Sequence, residues 1–286
     1  MLAGSNEAAV AERRPPDTER VLLLNSRSTP ELDYYLYVPD EYAAKNRILV
    51  SVHGVSRNAW EHIAFFRQYA RRHGVILVAP FFKRKIFRDY QRLGRKGVGP
   101  RADLALIRLL NEISRQTDSD TSKIDLFGFS GGAQFAHRFA FAYPQRVRSL
   151  ALGAAGWYTM PDKSAPYPYG IANTEGLDAV CFKAAAIARI SALVVVGEYD
   201  NKDDDEALNQ SKIIRKAQGG NRLARARAWT ERMNRLAAQQ GSSACVELTV
   251  LPGITHSFRQ AILRGGLAEH LFDYFYQPRV TAAPSL

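Results

Sequence analysis

The sequence predicts an α/β fold built on a mostly parallel sheet with helices on both faces. Short, nearly continuous apolar runs recur along the chain, as strands buried on both faces require. Stretches of helical spacing separate those runs, which is the alternation of a parallel sheet. The 286 residues are 46% hydrophobic, enough for one large domain whose core needs neither disulfide nor metal to hold it.

Residues 1–20 lack an apolar leader and read as a flexible tail. Residues 21–25 (VLLLN) and 32–39 (LDYYLYVP) read as two strands with a Ser-Thr-Pro turn between them. Leu32, Tyr34, Leu36 and Val38 fall on one face of the second. The apolar run at 47–54 (RILVSVHG) precedes a helix over 58–72, and VILVAP at 75–80 is the next strand. A helix over 102–114 carries Leu104, Ile107, Leu110 and Ile113 every third residue, as a buried stripe would. Strand 123–129 (KIDLFGF) leads into an Ala- and Phe-rich helix that stops at Tyr143-Pro144. Strands follow at 150–155, 192–197 and 246–252, with a long helical region containing WTERMNRLAAQ before the last. Residues 258–276 form a closing amphipathic helix, and 279–286 a short tail. Residues 21–278 thus make a single domain.

One segment breaks the rhythm. WYTMPDKSAPYPYGIANTEGLDA, from residue 157 to 179, holds three prolines and several aromatics within an insertion placed at 157–186. It is too long and irregular for an ordinary connection and reads as a functional loop or lid.

Gly128-Phe129-Ser130-Gly131-Gly132 fits G-x-S-x-G, and its context gives the pattern weight. An apolar strand ends at Phe129 and a helix begins near Gly131, the strand–turn–helix placement that exposes a nucleophilic serine. Side chains at Gly128 or Gly132 would collide with the neighbouring strand and helix. Ser130 then sits beside a helix N-terminus, where free N–H groups favour developing negative charge.

A serine hydroxyl needs a base. His256, in LPGITHSF, lies in the loop after the last strand, at the same sheet edge. His62, His73, His137 and His270 fall in or at the end of helices, and His53 reads as a hydrogen-bonding residue of its own turn. The base needs an acid to hold its tautomer. Asp200 lies three residues past the strand ending at Gly197, with Glu198, Asp203, Asp204 and Asp205 as rivals. The acidic cluster lacks EF-hand spacing and reads as the opening of the following helix. For the oxyanion, the backbone N–H groups of Val55 and Gly131 are the expected donors; such a donor typically contributes about 3–4 kcal/mol to transition-state stabilisation. Arg57, Trp157, Tyr158, Tyr167 and Tyr169 are candidate substrate contacts.

The net charge of +11 is concentrated in two runs. One holds Lys83, Arg84, Lys85, Arg88, Arg92, Arg95, Lys96 and Arg101 against Asp89 alone; the other spans 212–235. Both read as solvated faces or loops, and no zinc-finger or RNP-like pattern accompanies them, so no nucleic-acid partner is expected. If the first run borders the site mouth, an anionic substrate follows. No run reaches the ~18 apolar residues of a membrane helix, so no membrane partner is expected. Cys181 and Cys245 read as free thiols. The expected localisation is cytoplasmic, no cofactor or metal is expected, and a homo-oligomer is left open.

His53-Gly54, the GFSGG run at 128–132, the GEYD run ending at Asp200 and the late His256 resemble the α/β-hydrolase superfamily over about residues 21–276. Within it the chain is similar to compact bacterial esterases of the polyhydroxybutyrate-depolymerase and feruloyl-esterase kind. The resemblance implies a sheet of about eight strands with the active site at its carboxyl edge. It implies a serine carboxylesterase working through Ser130, His256 and Asp200 on a small ester. The same residues would serve a peptidase, amidase or thioesterase, and a non-catalytic ligand-binding protein on this fold is the alternative from another class.

Overall fold

The computed structural model describes residues 21–40, 47–174 and 176–277. The tails expected at 1–20 and 279–286 lie outside them.

Eight strands form one sheet: β1 (Leu22–Asn25), β2 (Asp33–Tyr37), β3 (Ile48–Val52), β4 (Ile76–Phe81), β5 (Ile124–Phe129), β6 (Val147–Gly153), β7 (Ala192–Gly197) and β8 (Val246–Leu251). Their order is β1-β2-β4-β3-β5-β6-β7-β8. β1 pairs antiparallel with β2, and β2 with β4; every other pairing is parallel. Position in the sheet explains the sequence of each strand. Central β3, β5 and β7 are buried at every residue and read as continuous apolar runs, whereas edge strand β1 alternates. Leu32, Tyr34, Leu36 and Val38 are all buried, as their alternation predicts.

The helices are α1 (Ala59–Arg72), α2 (Ala102–Thr117), α3 (Gly131–Ala142), α4 (Ala184–Ile187), α5 (Lys212–Gln218), α6 (Arg222–Gln239), α7 (Phe258–Leu263) and α8 (Leu267–Tyr276). They fall into two groups. The first joins α1 to α8 through Phe66, Tyr69 and His73 around Phe272. In the second, Trp229 of α6 stacks on Phe141 of α3, and Tyr143 beyond α3 bonds Asp103 of α2.

Several elements differ from expectation for local reasons. The buried stripe of α2 is Ala102, Ala105, Leu106, Leu109, Leu110 and Ile113, while Leu104 and Ile107 are only partly buried. A strict step of three drifts around a helix of 3.6 residues per turn, so the expected stripe leaves the core at its N-terminal end. The single C-terminal helix is two, broken at Gly265-Gly266, where Gly266 takes φ 64. The acidic cluster at 203–206 lies in turns, and α5 begins only at Lys212, because Asp203 and Asp205 bond Asn221 and Arg222 instead. The second basic run is not wholly solvated. Arg222 and Arg225 are buried, and Arg225 spans the carbonyls of Gly156, Asn209 and Gly219.

The segment after Ala154 has little regular structure but is packed down: Trp157, Tyr158, Met160, Tyr167, Ile171, Leu177, Val180 and Phe182 are buried. Cys181 and Cys245 are free and exposed. No helix among the described residues is long and apolar enough to cross a membrane.

Candidate active site

Ser130 stands between β5 and α3 with φ 54 and ψ −112, a backbone state that costs a non-glycine residue about 1–3 kcal/mol. Hydrogen bonds hold it there: Ser130 N donates to Gly153 O at 2.7 Å, and Gln134 N to Ser130 O at 3.2 Å. The flanking glycines are required by contact. A Cβ on Gly132 would lie 1.9 Å from Val52 O, and one on Gly128 would lie 2.2 Å from Gly132 O. The turn is tight because α3 starts directly against the backbone of β3.

His256 follows β8 and Asp200 follows β7, so adjacent parallel strands bring both to the edge where β5 ends. His256 Nε2 lies 3.0 Å from Ser130 Oγ, and His256 Nδ1 lies 2.7 Å from Asp200 Oδ2. The Phe129 ring stacks on the imidazole at 5.5 Å. Asp200 is buried whereas His256 is 26% exposed, so the imidazole faces outward and the carboxylate inward. The rivals are otherwise engaged or exposed: Glu198 accepts from Gly253 N, Asp203 from Asn221, and Asp205 from Arg222, while Asp204 faces solvent.

Val55 and Gly131 lie close to each other beside the serine turn. A Cβ on Gly131 would lie 3.1 Å from Val55 Cγ1, and one on Gly54 would lie 3.9 Å from Ser130 Oγ. The first amides of α3 have no carbonyl one turn earlier to bond, which leaves donors beside Ser130. His53 holds this turn. Its Nδ1 donates to Gly54 O at 2.8 Å, and its Nε2 accepts from Phe82 N at 3.0 Å, which sets the neutral Nδ1–H tautomer. Complete burial pushes its pKa down to about 3, so it stays neutral.

Of the expected substrate contacts, Arg57 does line a cleft beside Val55. The aromatics are placed differently. Tyr158 is fully buried and stacks on Trp229 at 5.1 Å, and Tyr167 is buried with its hydroxyl donating to Arg92 O. Both therefore pack the irregular segment onto the body rather than face a substrate. Trp157, also buried, has the guanidinium groups of Arg138 and Arg92 against its ring, with Tyr169 tilted beside it.

Sequence reasoning missed three residues here. Arg222 binds the far side of Asp200. The Gln91 amide approaches Gly131, where a Cβ would lie 2.8 Å from its Nε2. Arg138 is fully buried, and no carboxylate pairs with it among the described residues. It donates to Gln91 O at 2.7 Å and to Thr159 Oγ1 at 2.9 Å, tying the Gln91 turn to α3 and the irregular segment; burial pushes its pKa down to about 9. Gln91 and Arg222 were marked only by lying within basic runs, and Arg138, inside the Ala- and Phe-rich helix, carried no signal at all. No metal-binding cluster of His, Cys, Asp and Glu occurs among the described residues.

No family model matches the chain. A stretch of 117 residues, 40% of the chain, is 28% identical to feruloyl esterase B of Talaromyces funiculosus; the match spans about a third of that curated relative, 33% of its length. The fold is similar to that of a poly(3-hydroxybutyrate) depolymerase from Bordetella parapertussis, with TM-score 0.70, 26% identity and 88% of each chain covered. It is also similar to poly(aspartic acid) hydrolase-1 from Sphingomonas sp. KT-1, with TM-score 0.73, 23% identity, and 89% and 97% of the two chains covered. The architecture is the α/β-hydrolase fold.

Proposed function

We propose that the protein is a serine carboxylesterase that cleaves a small ester through an acyl-enzyme intermediate. One observation carries the reading: the unbroken hydrogen-bond chain from Ser130 Oγ through His256 to Asp200, assembled from three separate loops at one sheet edge. Two of the similar proteins, the feruloyl esterase and the poly(3-hydroxybutyrate) depolymerase, carry names that support an ester as substrate.

In this mechanism Ser130 Oγ attacks the ester carbonyl while His256 Nε2 takes its proton. Asp200 holds the ring and offsets the charge of the imidazolium. The tetrahedral oxyanion is received by the N–H groups of Val55 and Gly131. The C–O bond to the alcohol then breaks, and His256 returns the proton to the departing oxygen. Water, deprotonated by the same ring, attacks the acyl carbon and releases the acid with Ser130 restored.

Ser130→Ala is expected to lower turnover of p-nitrophenyl esters by at least about 10⁴-fold, in keeping with the cooperation of such triads. A fluorophosphonate probe is expected to label Ser130 in the native protein and nothing in the variant. Unchanged turnover in Ser130→Ala, or labelling at another residue, overturns the assignment.

A further inference from the structure

The first basic run divides into two populations. Lys83 pairs with Asp33, Arg92 and Arg95 pair with Asp89, and Arg101 pairs with Asp103. Those four cations brace the fold. Arg84, Lys85 and Arg88 form no ion pair among the described residues, and neither does Arg57.

The four unpaired cations converge. Arg57, Arg84, Lys85 and Arg88 line one open cleft of about 410 Å³, together with Val55 and Gln91 and with no acidic residue among the lining. Val55 and Gln91, with Tyr90, are also the side chains nearest Gly131, so the cleft adjoins the serine turn. Arg57 is held for this position at φ 62, with its guanidinium over the Tyr90 ring at 4.2 Å. Its Nε and Nη1 are buried without a hydrogen-bond partner among the described residues. The Tyr90 ring and hydroxyl are what this guanidinium now faces, and because buried donors with no acceptor are costly, Arg57 gains by turning them outward onto an acceptor that enters the cleft. Arg84 Nη2 donates to Val55 O at 3.1 Å, which fixes this wall to the turn.

We propose that this cleft binds a carboxylate on the ester substrate, so that the enzyme selects monoesters or polymers bearing an acid group near the scissile bond. The inference rests on the serine-esterase reading and deepens it. A planar guanidinium with two free donors suits a carboxylate, and three further cations raise the local concentration of anions before binding. The exposed cations are screened by salt, whereas the half-buried Arg57 is screened less.

The test compares kcat/KM for matched pairs. The p-nitrophenyl monoester of adipic acid against p-nitrophenyl hexanoate places the charge on the acyl side. The acetyl ester of 4-hydroxybenzoate against phenyl acetate places it on the leaving group. The native protein is expected to favour the anionic member of at least one pair by about tenfold or more. Lys85→Gln/Arg88→Gln and, separately, Arg57→Gln are expected to lower that preference at least fivefold, and raising salt from 0.05 to 0.5 M should lower it for the native protein. No preference in either pair, or variants that leave the preference intact, overturns the inference. Adipate binding to Ser130→Ala, followed by calorimetry with and without the Arg57→Gln change, gives a readout independent of turnover. Equal affinity in the two proteins, or no binding to either, overturns the cleft even if the nucleophile assignment stands; loss of all turnover with adipate binding intact overturns the esterase reading alone.

Discussion

Arg222 Nη1 donates to Asp200 Oδ1 at 3.1 Å, on the opposite oxygen from the one His256 uses. Both side chains are 4% exposed, and the same Nη1 also holds Asp205. The carboxylate is therefore clamped between an imidazole and a guanidinium, and Leu223 N fixes its main chain by bonding Asp200 O. Arg222→Met removes the clamp and leaves Asp200 free to turn from His256. If the triad works as proposed, kcat falls about tenfold or more with little change in KM, because the lost orientation matters most in the transition state. Breaking a buried pair also costs about 3–5 kcal/mol of stability. Steady-state kinetics below the unfolding range, beside a urea melt, check both; a normal kcat in a folded variant removes Arg222 from the mechanism.

Adjacent glycines predict opposite phenotypes. In Gly132→Ala the new methyl meets the Val52 carbonyl at 1.9 Å and the His53 carbonyl at 2.7 Å, backbone atoms at the end of β3 and the start of the turn that follows. That clash cannot relax locally, and the variant is expected to lose several kcal/mol or fail to fold. In Gly131→Ala the nearest atoms are Tyr90 Oη at 2.6 Å and Gln91 Nε2 at 2.8 Å; both are side-chain ends, but buried Tyr90 must give up or strain its bond to His53 O, at a cost in stability smaller than a backbone clash. The fold is expected to persist while the wall beside Ser130 shifts, lowering kcat about tenfold. Thermal melts and ester kinetics on the pair separate the two outcomes.

That Ser130, His256 and Asp200 would meet was legible because each follows an apolar strand, and parallel strands deliver their following loops to one edge. What the sequence concealed is side-chain pairing across distance. Arg222 sits 22 residues from Asp200 inside a run whose charge alone argues for solvent. Similarly, nothing local distinguishes Arg92, paired with Asp89, from Arg88, which lines the cleft. Aromatic-rich loop composition was equally ambiguous. The segment containing Tyr158 and Tyr167 looked like a lid, yet those rings complete the core, where Trp229 of a distant helix meets Tyr158. The α2 stripe failed through periodicity, since Leu104 and Ile107 turn away from the core that Leu106 and Leu109 enter.

Three buried histidines predict acid lability in a defined window. In His53 and His137 Nδ1 donates to a carbonyl, Gly54 O or Ala133 O, while Nε2 accepts from a backbone N–H, Phe82 N or Thr159 N. His62 bonds Ser51 Oγ through Nδ1 and stacks on Phe258 at 4.2 Å. Burial pushes His53 down to about 3 and the other two well below the ordinary histidine value of 6.5. Above pH 6.5 both folded and unfolded chains hold these rings neutral, and they add no pH dependence. As pH falls below 6.5 the unfolded chain takes up three protons that the folded chain refuses. Stability then drops by about 1.4 kcal/mol per pH unit for each ring, roughly 4 for the three, until the folded rings themselves protonate, which for His53 is at about 3. Two pH units below 6.5 remove a quantity comparable to the whole stability of a typical domain. Carboxylates act elsewhere. Burial raises Asp89, but its bonds to Arg95 and the charge of Arg92 outweigh that and leave it lowered, so its contribution is lost only below about pH 4. Asp125, raised by burial against the pull of Arg47, has the opposite sign and offsets at most part of one proton. Urea midpoints are therefore expected to fall steeply between pH 6.5 and 4.5. In His62→Asn, which keeps a partner for Ser51, the slope is expected to fall by about a third. A flat profile over that interval would show that the rings titrate in the folded protein.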